Sequence, residues 1–566
     1  MGLGSLVLAA TLIQQPPSEA LRVLRAARAA QAEFENVRRN HLPVAYSAPA
    51  QRCDYIIGRF CYWDDGQASP RKPPTPPEPD RIRRARARLV TTLDSTAALS
   101  PEDDWTAGQL VRYLAESDTG RALATARSCK ATPWWCAALT GFALHVAGEF
   151  RAADSAFDVA LRDMPDAERC KWTDLSPLID GALAKRYRAL DCETRVTFED
   201  SLWWVAQPLF SLRANDRRTE HFARAALSRI AQDARSTYSL RWGDDLRELT
   251  LRYGWPVYWT RDPARVTAML QPAVTGHDRE PAFHFFPEGK LDDARARERY
   301  APAYATEFVP LEHQAGAFRR GDSCVVVAAY DVSHDSAFAR HPPTAALVLA
   351  REPKRAPVIA WQEESPAGNL VATTSCEPQL LSLELLSRAG ARAARARSTM
   401  LPAGLTDGIA LSDLLLFDPT DSLPGDLAAV LPRARAAATA RAGTSVGLFW
   451  EVYGLPPDGA PLTIAVAVAP RRAGWLRRAT STLGLSRQRF AVRLSWQELA
   501  RPRDGVAPRA VALDLTGLSP GRYQIEVVIK AGAAEATAAR EITIEPIRDT
   551  PGPIRAEKPA KSRRSK

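Results

Sequence analysis

The chain has 566 residues, 46% of them apolar and 25% charged, the make-up of a soluble globular protein with room for several hydrophobic cores. Its formal net charge of +10 is concentrated: residues 71–88 carry seven basic side chains against Glu78 and Asp80, and residues 548–566 carry seven against Asp549 and Glu557. These two ribbons account for the whole excess, and a near-neutral body excludes a protein built around a nucleic-acid groove.

In chain order, residues 1–14 contain an apolar run, Leu3–Ile13, that reads as a signal-peptide hydrophobic region and is too short to span a bilayer. No later stretch is apolar for long enough to predict a transmembrane helix. The eight cysteines fall in sequence-near couples: Cys53 and Cys61, Cys129 and Cys136, Cys170 and Cys192, Cys324 and Cys376. Spacing does not fix their connectivity. An even count behind an apolar leader predicts disulfides in an oxidising compartment, hence export to the periplasm or cell surface. No CxxC occurs and no histidine stands at ligand spacing from a cysteine couple, so no metal and no cofactor is expected.

Residues 15–66 hold an Ala/Arg/Leu-rich helix over 18–41 and the segment RCDYIIGRFCYWDD, a small loop if Cys53 bridges Cys61. A Pro-rich linker, 67–80, follows. From 81 to 256 the pattern is helical. Within it, Trp134–Pro165 places Gly141, Leu144, Ala153, Phe157, Ala160 and Pro165 at tetratricopeptide spacings. Gly141 and Ala153 allow two helices to approach, Leu144 and Phe157 fill the space between them, and Pro165 stops the second. Trp105–Pro133 reads as a degenerate earlier copy. Such repeats build binding grooves, so Trp134, Trp135 and Phe150 are the candidate surface for a protein partner; the bland alternative is that they are core.

Residues 257–314 form a less regular connector. Beyond it the period changes to two. CVVVAAYDV, AALVLA, APVIAW, NLVATTS and LLSLELL predict a first antiparallel β-sandwich over 315–425. SVGLFWEVYGL, LTIAVAVA, RFAVRLSW, RAVALDL, GRYQIEVVIK and REITIEPI predict a second over 440–547, both of immunoglobulin or fibronectin type. The tail 548–566 has no apolar period and is expected to be disordered, able at most to touch an anionic envelope surface weakly.

Chemistry is sparse. GTSVG (443–447) and GLSPG (517–521) match GxSxG, but Pro520 removes the backbone N–H an oxyanion hole needs and Ser445 leads into a strand. No histidine follows His341, which rules out the chain order of such a triad. His277, His284 and His313 form a loose set without ligand spacing; His334 and His341 with Asp331 and Asp335 lie in a loop between strands and offer an unspecific alternative for a cation. No catalytic residue is assigned. The competing expectation is an envelope hydrolase or carbohydrate-active enzyme with its cleft in 254–300 and acids such as Asp244 or Glu288.

The densest polar stretch is RWGDDLRELTLRYGWP, Arg241–Pro256. As architecture it is a helix with Asp244 as cap, Asp245 and Glu248 in the positive first turn and Arg252 at the negative end. Leu246, Leu249 and Tyr253 share a face, Gly254 supplies the exit and Pro256 prevents continuation; a strand over 249–253 is the alternative. The residues Trp242, Asp245, Arg247, Tyr253, Gly254 and Pro256, together with Leu518–Tyr523 and ALSDLLLFDP (410–419), resemble the bacterial GWxTD-domain proteins. That resemblance implies an exported protein combining this module with C-terminal β-sandwiches and carries no activity; the naming motif itself is not present. The sequence therefore predicts an exported, non-catalytic envelope scaffold, helical first and β-rich second.

Overall fold

The computed structural model describes residues 19–44, 55–62, 75–179, 181–266, 272–277, 300, 302–305, 307–353, 355–402, 408–471 and 492–546. They fall into two compact units that divide between Thr306 and Glu307, helical before and β-rich after. Among the described residues no helix is long and apolar enough to cross a membrane.

The first unit begins with α1 (Glu19–His41), a short hairpin of β1 (Tyr55–Ile57) and β2 (Phe60–Tyr62), and α2 (Asp80–Leu99). Then come α3 (Asp104–Ala115), α4 (Thr119–Arg127), α5 (Pro133–Val146) and α6 (Phe150–Asp163). Caps set the starts: Asp103 accepts from the Thr106 N–H at 2.8 Å and Asp118 from the Arg121 N–H at 2.9 Å. Pairs α1/α2, α3/α4 and α5/α6 pack as helical hairpins. At the α5/α6 contact a Cβ on Gly141 would lie 2.8 Å from the Phe157 ring, so only glycine admits this approach. Ala153, Phe157 and Ala160 are fully buried, and α6 ends before Pro165.

The unit continues with α7 (Asp166–Thr173), α8 (Gly181–Arg188), α9 (Arg195–Ala206), α10 (Asp216–Gln232), α11 (Asp244–Tyr253) and a hairpin of β3 (Tyr258–Val266) and β4 (Pro272–His277). Helix α10 packs on α3, α5 and α6. A Cβ on Gly108 would meet both Trp135 and Ile230, and the Gln109 side chain donates to the Ile230 carbonyl at 2.6 Å. The face of α3 and α5 that a repeat would offer to a partner is therefore covered by the chain's own α10. Disulfides join Cys129 to Cys136 and Cys170 to Cys192; the coupling of Cys53 with Cys61 lies outside the described residues.

The β-rich unit opens with β5 (Glu307–Pro310), β6 (His313–Arg320), β7 (Ser323–Asp331), a short α12 (Ser336–Arg340), β8 (Thr344–Ala350), β9 (Val358–Gln362), β10 (Ala367–Ser375), β11 (Gln379–Ser387) and β12 (Arg392–Met400). Among the described residues these form sheets of order β10-β7-β6 and β5-β12-β11-β8-β9, which share one core around Val326, Leu347 and Leu383. Cys324 bridges Cys376.

After β13 (Ala410–Leu411), β14 (Leu415–Phe417), α13 (Leu427–Val430) and β15 (Thr439–Arg441) come β16 (Ser445–Tyr453), β17 (Ala460–Pro470), β18 (Val492–Ala500), β19 (Val506–Asp514), β20 (Gly521–Ala531) and β21 (Ala534–Glu545). Strand β16 pairs with β13, β14 and β19, while the neighbouring sheet runs β15-β21-β20-β17-β18. Trp450, Ile464 and Val527 lie in the core between these sheets, all fully buried. The alternation of GRYQIEVVIK is reproduced: Tyr523, Ile525, Val527 and Ile529 are buried on one face. A further cluster joins Phe318 and Val327 to Phe417, Val430 and Phe449, so the two halves of this unit are packed together.

Candidate functional site

A cavity of about 700 Å³ lies in the helical unit. Segments far apart in sequence build it: the end of α1, Phe60, the Pro-rich run before α2, the α2–α3 region, and the chain from Arg235 to Gly276. The stretch RWGDDLRELTLRYGWP forms much of one wall through Trp242, Leu246, Leu249, Tyr253, Trp255 and Pro256.

That stretch is held in place by two arginines. Asp244 begins α11, whose N-cap is Gly243 with no side-chain cap bond, so Asp244 does not cap as the sequence predicted. Asp245 instead receives Arg59 from the β1–β2 turn: Arg59 Nε and Nη2 donate to its two oxygens at 2.5 and 2.7 Å. The Arg59 hydrogen bonds hold the Asp245 carboxyl down at about 2. At the other end Gly254 leaves the helix with φ of 83°, and Arg224 Nη1 donates to the carbonyls of Leu251 and Arg252 at 3.0 and 2.9 Å. A Cβ at Gly254 would sit 3.2 Å from that guanidinium, which is why the exit is glycine. Arg247 donates to the Lys171 carbonyl at 2.9 Å.

Behind this wall is a buried relay. His145 contacts Thr219 Oγ1 at 2.9 Å and Glu220 Oε2 at 2.6 Å, and Arg224 Nε donates to Glu220 Oε1 at 2.7 Å. Burial opposes the charge on Glu220, but Arg224 and His145 outweigh it and keep the carboxyl well below its ordinary range. Asp216 is the opposite case: burial pushes it up to about 6 although Tyr300 donates to it.

The cavity has an aromatic side and a charged end. Phe60, Tyr238 and Trp259 form an edge-to-face chain with centroids 5.5 and 4.9 Å apart, and Phe142 faces Trp255 at 5.9 Å. At the charged end Arg38 pairs with Glu116, and Arg86 holds both Glu116, at 3.0 Å, and Glu78. Glu35 lies just behind, receiving Tyr113 Oη at 2.6 Å, Thr237 Oγ1 at 2.8 Å and Arg112 at 3.4 Å. Burial works against an ionised Glu116, but Arg38, then Arg86 and Arg112, prevail and lower its pKa. Arg38 is raised by Glu116 and Glu35 against the penalty of its own burial.

The residues singled out from the sequence fall in different places. Trp134 and Trp135 are 8% and 2% exposed and pack with Trp172 in edge contacts of 6.1 and 6.5 Å; they are core, with almost no surface for a partner. Phe150 is half-buried over His145, centroids 5.3 Å apart. Asp244 is exposed and Glu288 lies outside the described residues. His277 stacks on Tyr258 at 4.3 Å, His313 bonds the Leu311 carbonyl, and His284 lies outside the described residues. Asp335 caps α12 and pairs with Arg392 at 2.5 Å. Among the described residues no His/Cys/Asp/Glu group could hold a metal. Of the basic ribbons, Arg81, Arg83, Arg84 and Arg88 are exposed on α2, whereas Arg86 is buried in the ion-pair cluster; residues 71–74 and 547–566 lie outside the described residues. Sequence reading missed the cavity because its walls share no local pattern.

No family model matches this chain, and no curated protein matches it. Among solved structures it is similar to red sea bream transglutaminase at 8% identity, over 42% of this chain and 31% of that one, with a TM-score of 0.14. A Salmonella alpha-2-macroglobulin mutant matches at 13% identity over 42% and 16%, TM-score 0.15. A Bacteroides uniformis beta-glucuronidase matches at 8% over 40% and 26%, TM-score 0.16. This chain thus spans 31% or less of each of these structures. Likeness at that level carries no argument.

Proposed function

We propose that the protein is an exported envelope scaffold or interaction protein that binds without catalysing a reaction. In this reading the first unit is a tetratricopeptide-like module akin to the GWxTD-domain proteins, and the second is a pair of immunoglobulin-like sandwiches. Three bridged cysteine pairs support export. The sandwich assignment is supported by Tyr523, whose hydroxyl donates back to the Ser519 carbonyl at 2.9 Å, the geometry of a tyrosine corner.

The observation that carries the non-catalytic reading is the ion pairing of the cavity wall. Glycoside hydrolysis by two carboxyls requires one to stay protonated as general acid. Here the cavity carboxylates of the described residues, Glu78 and Glu116, both pair with the Arg86 guanidinium, and burial is outweighed by Arg38, Arg86 and Arg112, which lower the pKa of Glu116. Such a pair can anchor a wall but is poorly placed to donate a proton.

Two measurements test the proposal. Non-reducing peptide mapping of protein expressed from its own leader is expected to show a trimmed N-terminus and the three bridges; an intact Met1 with free thiols would refute export. A panel of aryl glycosides and esters is expected to show no turnover above buffer. Turnover abolished by Glu116→Gln would establish the hydrolase alternative instead.

A further inference from the structure

Among the described residues, the charged side chains that line the cavity are Arg38, Glu78, Arg86, Arg112, Glu116 and Arg235. The first five are tied into ion pairs with one another or with Glu35. Arg235 is different. Its backbone is clamped to Gln31, which donates to its carbonyl at 2.9 Å and accepts from its N–H at 3.0 Å. Among the described residues its guanidinium has no hydrogen-bond or ion-pair partner, and the residue is exposed. Three of the wall's hydroxyl groups are engaged as well: Thr237 on Glu35, Ser236 on the Leu240 carbonyl at 3.0 Å, Thr250 on the Leu246 carbonyl at 2.8 Å.

We infer that this cavity binds an amphipathic monoanion, an apolar body with a single acidic head, whose head pairs with Arg235 and whose body lies against Trp242, Trp255 and Trp259. The proposal rests on the cavity being a binding site and not a reactive one. A volume of about 700 Å³ is that of a site for a small organic ligand. The carboxylates and three of the hydroxyls are already committed to protein partners, whereas the three tryptophans offer apolar surface. An apolar body needs none of those polar groups. Among the described residues, counting Glu35, the four arginines exceed the three glutamates by one charge, so one acidic head completes their neutralisation. Acyl and aryl bodies both satisfy this chemistry, and the test separates them.

The experiment is calorimetric titration of the full chain, below micelle-forming concentrations, with octanoate, decanoate, 2-naphthoate, 1-octanol and acetate. Octanoate and decanoate are expected to bind, with each added methylene tightening the complex by up to about fourfold, while acetate gives no heat of binding. An aryl site would instead prefer 2-naphthoate and show no gain from octanoate to decanoate; either preference supports the amphipathic class and identifies the body. Arg235→Gln should weaken the acids about twofold to fivefold, the range of an exposed ion pair, and leave 1-octanol unchanged. Trp259→Ala should weaken acids and alcohol together, with circular dichroism confirming that both variants stay folded. The inference is overturned if no acid binds, if acetate binds as well as decanoate, or if neither variant alters decanoate binding. Failure here would leave the non-catalytic reading standing, whereas ester turnover would defeat that reading without affecting binding of the acids.

Discussion

A buried glutamate in each unit shows how differently the two halves are put together. In the β-rich unit Glu384 is 1% exposed and finds its partners by register: Ser382 two residues away at 2.5 Å, and Arg397 across the β11–β12 ladder at 3.4 Å. In the helical unit Glu35 is 2% exposed; Arg38 lies three residues along at 3.6 Å, but the carboxylate's hydrogen-bond partners Tyr113 and Thr237 are 78 and 202 residues distant. Strand pairing delivers polar partners as a by-product of the sheet. Helix packing does not, so the helical unit relies on specific long-range polar contacts, and its cavity is lined by the same network.

The sharpest way to break this comparison is to remove one residue from each side. Trp450→Ala empties a fully buried site and is expected to destabilise the β-rich unit by about 3–5 kcal/mol. Hydrogen exchange should accelerate across β16–β20 and leave α5 and α6 unchanged; equal acceleration in both would show the units to be one cooperative body. Glu35→Gln leaves Arg38 and Arg112 short of a buried counter-charge and should cost about 3 kcal/mol, read as lost protection in α1 and α3. Protection lost only locally around residue 35 would mean the long-range network is dispensable.

Asp216 sharpens the comparison through pH. Its folded pKa of about 6 exceeds the ordinary 3.8, so its contribution to stability is full below about pH 3.8 and is lost as pH rises through 6. The shift of roughly two units corresponds to an effect on the order of 3 kcal/mol at most. Asp216→Asn should therefore raise the melting temperature at pH 7.5 relative to the parent and give little or no gain at pH 4. An equal change at both values would mean the carboxyl is not perturbed. Gly141→Ala drives a methyl into Phe157 and should destabilise by about 1–3 kcal/mol, seen as a lower denaturant midpoint. Arg59→Ala is the smallest, below about 1 kcal/mol because Arg59 is 44% exposed. Its signature is the Asp245 carboxyl returning towards its ordinary pKa in a carbon-detected titration.

What could be read from the sequence followed the same division. Short β-branched or alternating runs located β7 to β11 and β16 to β21: β17 and β20 alternate because one face of each is buried, whereas β8 and β16 read as continuous apolar runs because both faces are buried. Strand β12 escaped notice: RAARARSTM carries no β-branched run, and it is a strand because β11 and β5 pair with it while Ala393 and Ala394 fill the core. The α5/α6 hairpin was legible from Gly141, Phe157 and Pro165, whose reasons are local. The covering of that hairpin by α10 was not, since Gly108 and Gln109 meet Ile230 about 120 residues later, a separation no periodicity encodes. For the motif stretch the helix, its apolar face and its glycine exit were readable. Its anchors, Arg59 and Arg224, were not, because they come from elsewhere in the chain. The cavity was invisible for the same reason.

The clamp between Gln31 and the backbone of Arg235 spans 204 residues, and this has a consequence in time. During synthesis α1 leaves the ribosome long before the segment that satisfies Gln31 and Glu35 exists. At about 5–20 residues per second, the wait is on the order of ten to forty seconds. Until then α1 can pack on α2 and reach Tyr113 and Glu116 of the α3 region through Gln31, Glu35 and Arg38, but its contacts to residues 235–237 wait for the later segment. The N-terminal helix is therefore among the first parts made and among the last to complete its polar contacts.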